Sequence, residues 1–114
     1  MTHWEIVHTS EVEKWLASTD MQLRRAVEMK VSLLRMYGPL LQRPHVDHIK
    51  GSRHSNMKEL RITAQGPIRI LFCFDPDRRA VLLIAGMKSS QKNWYQKMIP
   101  RADELMDQYL EERQ

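Results

Sequence analysis

Three consecutive runs of β-forming residues constrain the fold of this chain more than any other feature. They cover residues 57–63, 68–75 and 80–85. Two turn-forming pairs of hairpin length separate the runs, a Gly-Pro pair that starts at Gly66 and a Pro-Asp pair that starts at Pro76. The sequence therefore predicts a three-stranded antiparallel meander.

The second and third runs are apolar at almost every position, which limits what can surround them. Residues 70–74 have the sequence Ile-Leu-Phe-Cys-Phe, and residues 81–84 have the sequence Val-Leu-Leu-Ile. A half-exposed antiparallel strand alternates apolar with polar residues, so both faces of these strands must be largely covered, and we expect helices to cover one of them. Cys73, the only cysteine, lies in this run and is predicted to be a small buried side chain without a disulfide.

Signals for one strand and two helices precede the meander. Residues 4–8 alternate weakly and predict a short first strand. Two pairs then have the spacing of a capping box, and each predicts the start of a helix. These pairs are Ser10 with Glu13 and Thr19 with Gln22. The second helix is predicted to end at Gly38, which Pro39 follows.

The segments on either side of the meander complete the predicted order of elements. Residues 39–56 contain prolines, a glycine and serines, so we expect a long connection with a brief extended piece at 46–49. After Gly86 the chain becomes polar. An amphipathic stripe behind Pro100 then predicts a C-terminal helix whose first turn contains this proline.

This order predicts an α+β fold, in which a small antiparallel sheet made of the first strand and the meander packs against two N-terminal helices, with a C-terminal helix. The chain has 114 residues and 42% hydrophobic content, so we expect one domain over residues 1–114. It has no apolar run near the ~18 residues that a membrane span needs, and its start lacks the layout of a signal peptide. A cytoplasmic protein without membrane contact is expected.

Charge is segregated along the chain. Residues 50–101 contain 11 Lys and Arg against 3 Asp and Glu, whereas the remaining positions contain 7 against 11. The net charge of +4 is therefore the sum of +8 in residues 50–101 and −4 in the remaining positions. Within the basic region, residues 51–61 place a histidine and several basic side chains in a turn that leads into the meander. A segregated basic surface favours a polyanionic partner.

Three short motifs, in their order and spacing, carry a resemblance to a known family. They are Lys-Glu-Leu-Arg at 58–61, Pro-Ile-Arg-Ile-Leu-Phe at 67–72 and Gly-Met-Lys-Ser-Ser-Gln-Lys at 86–92. With the order of elements, they resemble the RelE/ParE superfamily of toxin–antitoxin toxins, and in particular its HigB-like, phage-derived branch. The resemblance implies a small basic endoribonuclease that needs no cofactor and cleaves mRNA in the ribosomal A site. It also implies an antitoxin partner, expected to be a helix-turn-helix protein encoded nearby.

Cleaving RNA without a metal requires positive charge beside the phosphate and groups that transfer protons. Arg69, Lys88 and Arg61 are the candidates for the positive charge, since the arginine fork matches phosphate and lysine provides a point charge. Tyr95 and His54 are the candidates for proton transfer, and which residue is the general base stays open. Further basic residues are predicted to contact the RNA. These are Lys58, Arg53, Lys50 and Lys92.

Several of these candidates have a purely structural alternative. In a regular strand Arg61, Glu59 and Met57 share one face while Lys58 lies on the other, so we prefer Arg61 over Lys58 for the cleft. Tyr95 suits a hydrophobic anchor for the last helix equally well. A solvated position is the alternative for the lysines and for Arg69 at the start of its strand, and a hydrogen-bonding loop residue is the alternative for His54.

One departure from the family leaves other functions open. Relatives that cut RNA frequently have lysines where this chain has Met57 and Glu59. The alternatives are therefore a ParE-type toxin that binds DNA gyrase without catalysis, or a basic nucleic-acid-binding module. Metal catalysis is not predicted, because Pro44 opposes a helix that presents His45 and His48 together and no paired cysteines exist.

Overall fold

A five-stranded sheet with helices on both faces forms the fold in a computed structural model that describes residues 3–113. The strands lie in the order β1-β5-β4-β3-β2. A 3-10 turn at Gly38–Leu40 follows the second helix. The strands are β1 (Glu5–His8), β2 (Val46–His48), β3 (Lys58–Thr63), β4 (Pro67–Phe74) and β5 (Arg79–Met87), and the helices are α1 (Ser10–Ala17), α2 (Met21–Tyr37) and α3 (Trp94–Glu112).

The predicted α+β class and the meander of β3, β4 and β5 are confirmed, but the sheet is larger and mixed. β1 pairs with β5 in parallel, because the two N-terminal helices carry the chain away before it returns through the meander. The extended piece predicted at 46–49 is a full member of the sheet, since β2 pairs with β3 in antiparallel fashion. The sheet therefore has five strands instead of the predicted four.

Helices cover both faces of the sheet, and each face has its own apolar core. On one face α1 and α2 pack against alternate residues of the strands, including Leu60, Ile70 and Leu82. On the other face α3 packs against the intervening residues, including Leu71 and Leu83. This second cover explains why β4 and β5 are apolar at nearly every position. The sequence predicted helices on one face only.

The two predicted capping boxes are wrong by one residue. The cap of α1 is Thr9, whose hydroxyl oxygen accepts a hydrogen bond from the Val12 N–H at 3.2 Å and donates to the Leu83 carbonyl at 2.7 Å. The cap of α2 is Asp20, which accepts from the Leu23 N–H at 2.9 Å. Neighbouring Ser, Thr and Asp residues compete for this position, and the side chain that reaches the free N–H groups decides the start.

The predicted end of α2 at Gly38 is confirmed. The glycine has φ of +55°, and its N–H donates to the Leu34 carbonyl. A Cβ at this position would lie 2.3 Å from Nε1 of Trp4. Glycine is therefore needed both for the left-handed backbone and for the close approach of the indole.

The last helix begins six residues earlier than the predicted start near Pro100. α3 starts at Trp94 and contains Pro100 in its interior. A proline inside a helix costs about 3 kcal/mol or more, and the burial of Trp94 and Ile99 against the sheet offsets this cost. As a consequence, Tyr95 lies in the first turn of α3.

Burial of the single cysteine is confirmed. Cys73 is 0% exposed, and its burial raises the pKa of the thiol to about 12. Its sulfur lies 3.7 Å from the sulfur of Met57, on the face that α3 covers. The thiol is therefore unreactive, and it packs as an apolar side chain in the core.

Candidate active site

A β-bulge in β5 sets the register of the strands beside the candidate site. The pairing of β4 with β5 shifts by one residue, so that Leu83 has no partner of its own in β4. Beyond this shift Gly86 lies directly opposite Arg69. An added Cβ at Gly86 would lie 3.1 Å from Nε1 of Trp94. The bare glycine thus lets the first turn of α3 pack close to the strand that carries Arg69.

Two arginines and a carboxylate come together on the face of the sheet that α3 covers. Arg61 on β3 is the direct cross-strand partner of Arg69 on β4. Like charges in this arrangement repel unless an anion lies between them. Glu59, on the same face of β3, supplies it, because its Oε2 accepts from Arg61 Nε at 2.7 Å and lies 3.7 Å from Arg69 Nε. This placement agrees with the strand alternation expected for Glu59 and Arg61.

Tyr95 joins this group from the first turn of α3. Its hydroxyl donates to Oε1 of Glu59 at 2.5 Å. Burial and this carboxylate raise the pKa of Tyr95 to about 12, although the positive charge of Arg69 acts in the opposite direction. Tyr95 is therefore a neutral phenol at physiological pH and has a proton to donate. We call Glu59, Arg61, Arg69 and Tyr95 the Glu59 cluster.

Replacing Tyr95 with phenylalanine is expected to remove a pH-dependent part of the stability. A phenol whose pKa rises from 10.0 to about 12 on folding binds more protons in the folded chain than in the unfolded chain between these values. Its contribution is fully present below pH 10 and is lost as the pH approaches 12. The free energy of unfolding should therefore fall less steeply over this range in Tyr95→Phe than in the wild type.

Tyr109 provides the control for that measurement. The pKa of Tyr109 is also raised, by burial and by a hydrogen bond from its hydroxyl to Asp75 Oδ2 at 2.6 Å. The variant Tyr109→Phe should keep the pH dependence of the free energy of unfolding that Tyr95 contributes. Identical pH dependence in the wild type and Tyr95→Phe would contradict the assigned contact with Glu59.

A second carboxylate holds Arg61 from the neighbouring strand. Oδ2 of Asp47 on β2 accepts from Arg61 Nη2 and from Arg43 Nη2, both at 3.0 Å. The hydrogen bond from Arg43 is the main reason why the pKa of Asp47 is lowered. The hydrogen bond to Glu59 is the main cause of a raised pKa for Arg61. Arg61 is thus fixed between two anions.

Arg69 is buried with unused hydrogen-bonding capacity. The residue is 8% exposed, and its Nη1 donates to the carbonyl of Ile68 at 3.0 Å. Its Nε is the one buried side-chain nitrogen or oxygen in residues 3–113 that has no hydrogen-bond partner. A buried donor without a partner costs about 1–3 kcal/mol. An anion placed against this guanidinium would satisfy it.

Lys88 and Lys92 lie beyond the end of β5. The N–H of Lys88 donates to the carbonyl of Pro67, the residue at which β4 begins, at 3.0 Å. Lys88 is exposed and comes two residues after Gly86, the partner of Arg69. Lys92 is exposed in the connection to α3. The structure therefore places Lys88 at the same end of the meander as Arg69.

The histidine of the basic loop belongs to a different part of the molecule. Nε2 of His54 lies 2.8 Å from Oδ1 of Asp107 on α3, and Arg53 pairs with the same carboxylate. Ser52 Oγ donates to Asp103 Oδ1 at 2.5 Å, which fixes the loop to α3. His54 lines a cavity with Phe74 at the far end of β4 from Arg69. The structure thus does not bring His54 or Arg53 to the Glu59 cluster.

The remaining predicted RNA contacts are also separate from the cluster. Lys58 lies on the opposite face of β3, where its Nζ is 5.3 Å from the ring centroid of Phe74. Lys50 is exposed in the loop after β2. His45, considered above as a metal ligand, instead makes a 2.7 Å contact from Nδ1 to Nζ of Lys30.

Glu59 and Asp47 are central to the arrangement and were not predicted as site residues. Glu59 is 3% exposed, and a buried carboxylate is rare without partners. The sequence contained a signal for it, because strand alternation places Glu59 beside Arg61. No such signal exists for Asp47, which depends on the pairing of β2 with β3.

Comparison with known sequences gives consistent matches. The family model described as "Phage derived protein Gp49-like (DUF891)" matches residues 14–107. The Mycobacterium tuberculosis protein named "Putative toxin HigB2" is 43% identical over 108 residues, covering 90% of this chain and 54% of that protein. The chain thus spans about half the length of this relative. "Putative toxin HigB3" of the same organism is 42% identical over 106 residues, covering 92% of each chain.

Solved structures of Escherichia coli RelE share the fold. A double mutant of RelE in the free state superposes with a TM-score of 0.66 at 9% identity, covering 88% of this chain and 98% of RelE. Isolated RelE gives 0.61 at 10% identity, with 86% and 97% covered. A chain of the intact RelBE toxin–antitoxin complex gives 0.59 at 7% identity, with 74% and 95% covered. At such low identity the likeness shows the fold alone.

Proposed function

Because the chain belongs to the Gp49-like family of phage-derived proteins, as a HigB-like member of the RelE/ParE superfamily, we propose that it is the toxin of a type II toxin–antitoxin pair. In this proposal it stops translation by cleaving mRNA on the ribosome, in the cytoplasm, and an antitoxin neutralises it. Among residues 3–113, no helix is long and apolar enough to cross a membrane.

The observation that carries the proposal is the buried guanidinium of Arg69, with an Nε donor that lacks a hydrogen-bond partner. It lies beside a second arginine on a basic stretch of chain, and an RNA phosphate is the anion that fits both. Arg61 and Arg69 are held in place before the substrate arrives. Groups fixed in this way stabilise developing negative charge without reorganisation during the reaction.

The arrangement suggests a role for each member of the cluster in RNA cleavage. The 2′-hydroxyl loses its proton to solvent water, its oxygen attacks the adjacent phosphorus in line to form a cyclic phosphate, and the bond from phosphorus to the 5′-oxygen breaks. Arg69 and Arg61 stabilise the charge on the phosphorane, and the phenol of Tyr95 protonates the leaving oxygen. Glu59 acts as a positioning residue that holds the two arginines and the phenol together. Lys88 and Lys92 extend the positive charge along the RNA.

Four basic residues outside the cluster stay predictions. His54 is predicted to transfer protons, and Arg53, Lys50 and Lys58 are predicted to contact the RNA. Two of them, His54 and Arg53, form ion pairs with the carboxylate of Asp107. Any contribution of these two to RNA binding therefore requires that they leave this ion pair.

Induction of the protein in a bacterial host tests the proposal directly. We expect growth arrest together with newly cut, ribosome-bound mRNA, detected by mapping the 5′ ends of the fragments. Growth arrest with intact mRNA and damaged DNA would contradict RNA cleavage and favour a toxin that binds DNA gyrase. The absence of growth arrest would contradict the toxin assignment itself.

A further inference from the structure

The large apolar side chains that residues 3–113 leave exposed are concentrated on one helix and the turn after it. They are Met21, Met29, Met36, Tyr37 and Leu40, with exposed fractions of 65%, 71%, 48%, 48% and 79%. All of them lie on α2 or in the 3-10 turn at Gly38–Leu40. An exposed apolar surface concentrated in this way is typical of an interaction site.

Four of the apolar residues of α2 form a continuous stripe. Met29, Leu33, Met36 and Tyr37 have the spacing that places residues on one face of a helix. We call these four residues the α2 stripe. The residues that α2 buries against the sheet, which include Val27 and Leu34, occupy a different face. Within the α2 stripe, Leu33 is half-buried and packs partly against the core, whereas Met29, Met36 and Tyr37 are exposed.

The charges of α2 favour an acidic partner. The helix contains four cationic residues and a single acidic residue. They are Arg24, Arg25, Lys30 and Arg35, with Glu28 as the acid. Arg25 is exposed and lies one turn before Met29. A second copy of the chain would bring like charges together across the stripe, whereas an acidic helix would neutralise them.

We propose that the α2 stripe is the docking surface for an amphipathic helix of the antitoxin, with acidic residues beside the apolar face of that helix. This inference rests on the proposed function. Flexible methionine side chains adapt to the ridges of a partner helix, which suits this kind of contact. The apolar contact supplies affinity, and the charges supply orientation.

The position of the stripe separates antitoxin binding from catalysis. α2 covers one face of the sheet, and the Glu59 cluster lies on the other face with α3. An antitoxin held at the stripe therefore does not need to contact Arg69 in order to bind. Substitutions in the stripe should change neutralisation while leaving the toxic activity intact.

The test uses the double variant Met29→Glu with Met36→Glu. Both residues are exposed, so the fold should tolerate the change. Affinity is measured for the purified antitoxin, identified as the product of the neighbouring reading frame whose co-expression relieves growth arrest. We expect a loss of at least about 30-fold, the effect of removing one strong interface contact. Growth arrest without the antitoxin should stay at the wild-type level, and co-expression of the antitoxin should no longer relieve it.

Two controls define the origin of the effect. The variant Met29→Leu with Met36→Leu keeps the apolar surface and should bind like the wild type. Gln108→Glu adds a negative charge at an exposed position of α3 and should also bind like the wild type. Binding of the double glutamate variant with wild-type affinity would overturn the inference.

Other outcomes identify a different occupant. Loss of growth arrest in the glutamate variant without antitoxin would mean that the stripe contacts the toxic target, and it would overturn the inference. So would a wild-type dimer, detected by sedimentation, that the glutamate variant cannot form. Failure of the proposed function is distinct from these results, because wild-type protein would then cut no mRNA.

Discussion

Replacing Arg69 with alanine is expected to lower ribosome-dependent mRNA cleavage by roughly 100- to 1,000-fold and to abolish growth arrest. This is the size of the loss when one preorganised group that stabilises transition-state charge is removed. Arg69 is the most buried cation of the Glu59 cluster, and its Nε has no hydrogen-bond partner in the protein, although Glu59 Oε2 lies 3.7 Å away. Loss of this side chain therefore removes a buried cation with an unused hydrogen-bond donor from the Glu59 cluster.

The measurement compares cleavage rates of a defined mRNA on purified ribosomes with cell growth after induction. The variant Arg69→Lys keeps the charge but lacks the fork, and we expect it to recover only a small part of the activity. Combining Arg69→Ala with Lys88→Ala should likewise abolish growth arrest. Lys14→Ala serves as the control, because Lys14 is exposed on α1.

A separate measurement tests whether the Arg69 variants are still folded. Because the Arg69 side chain approaches Glu59, its removal also lowers stability, and antitoxin binding should report that the folded protein persists. Wild-type growth arrest in the double variant of Arg69 and Lys88 would show that the Glu59 cluster is not the site. Loss of antitoxin binding together with activity would show unfolding instead.

Much of the architecture follows from local patterns in the sequence. The three apolar runs and their turns predict the meander, because hairpin connections leave little freedom in pairing. Gly38 predicts the end of α2, since its left-handed backbone and contact with Trp4 exclude a side chain. The parallel addition of β1 beside β5 could not be predicted in the same way. It depends on where two helices place the strand, which is a long-range property.

The start of α3 shows how tertiary contacts override a local signal. Pro100 favours the first turn of a helix, and this preference led to the predicted late start. The bare position at Gly86 accommodates Trp94, and burial of this indole extends the helix past the proline. Because the extension carries Tyr95 toward Glu59, the same contact completes the candidate site.

The candidate site itself was only partly predictable. Arg61 and Arg69 are adjacent because β3 and β4 form a hairpin, and the alternation of β3 gave the correct face for Arg61. Glu59 was regarded as a departure from relatives that carry lysines. The structure shows it instead as the anion that allows two arginines to lie side by side. His54 is close to β3 in the sequence, but Asp107 holds it at α3, away from the Glu59 cluster.

Replacing Glu59 with glutamine is expected to lower the free energy of unfolding by about 3 kcal/mol. Glutamine has nearly the same shape but only one acceptor oxygen, so its amide N–H group would face Arg61 or the phenol of Tyr95. Arg61 keeps its hydrogen bond to Asp47, and this limits the loss. Arg69 has no such second carboxylate, and it becomes a buried charge held by the carbonyl of Ile68 and the hydroxyl of Tyr95.

Anions should restore the stability that Glu59→Gln loses. This response distinguishes a loss of negative charge from a loss of packing. Inorganic phosphate should raise the unfolding midpoint of Glu59→Gln more than that of the wild type, because the two arginines then bind the anion without competition from a carboxylate. The exposed variant Glu13→Gln should respond like the wild type. An equal response of Glu59→Gln and the wild type to phosphate would mean that Glu59 does not hold the arginines through its charge. A larger response would identify the Glu59 cluster as an anion-binding site in which the carboxylate of Glu59 balances the charge of the two arginines.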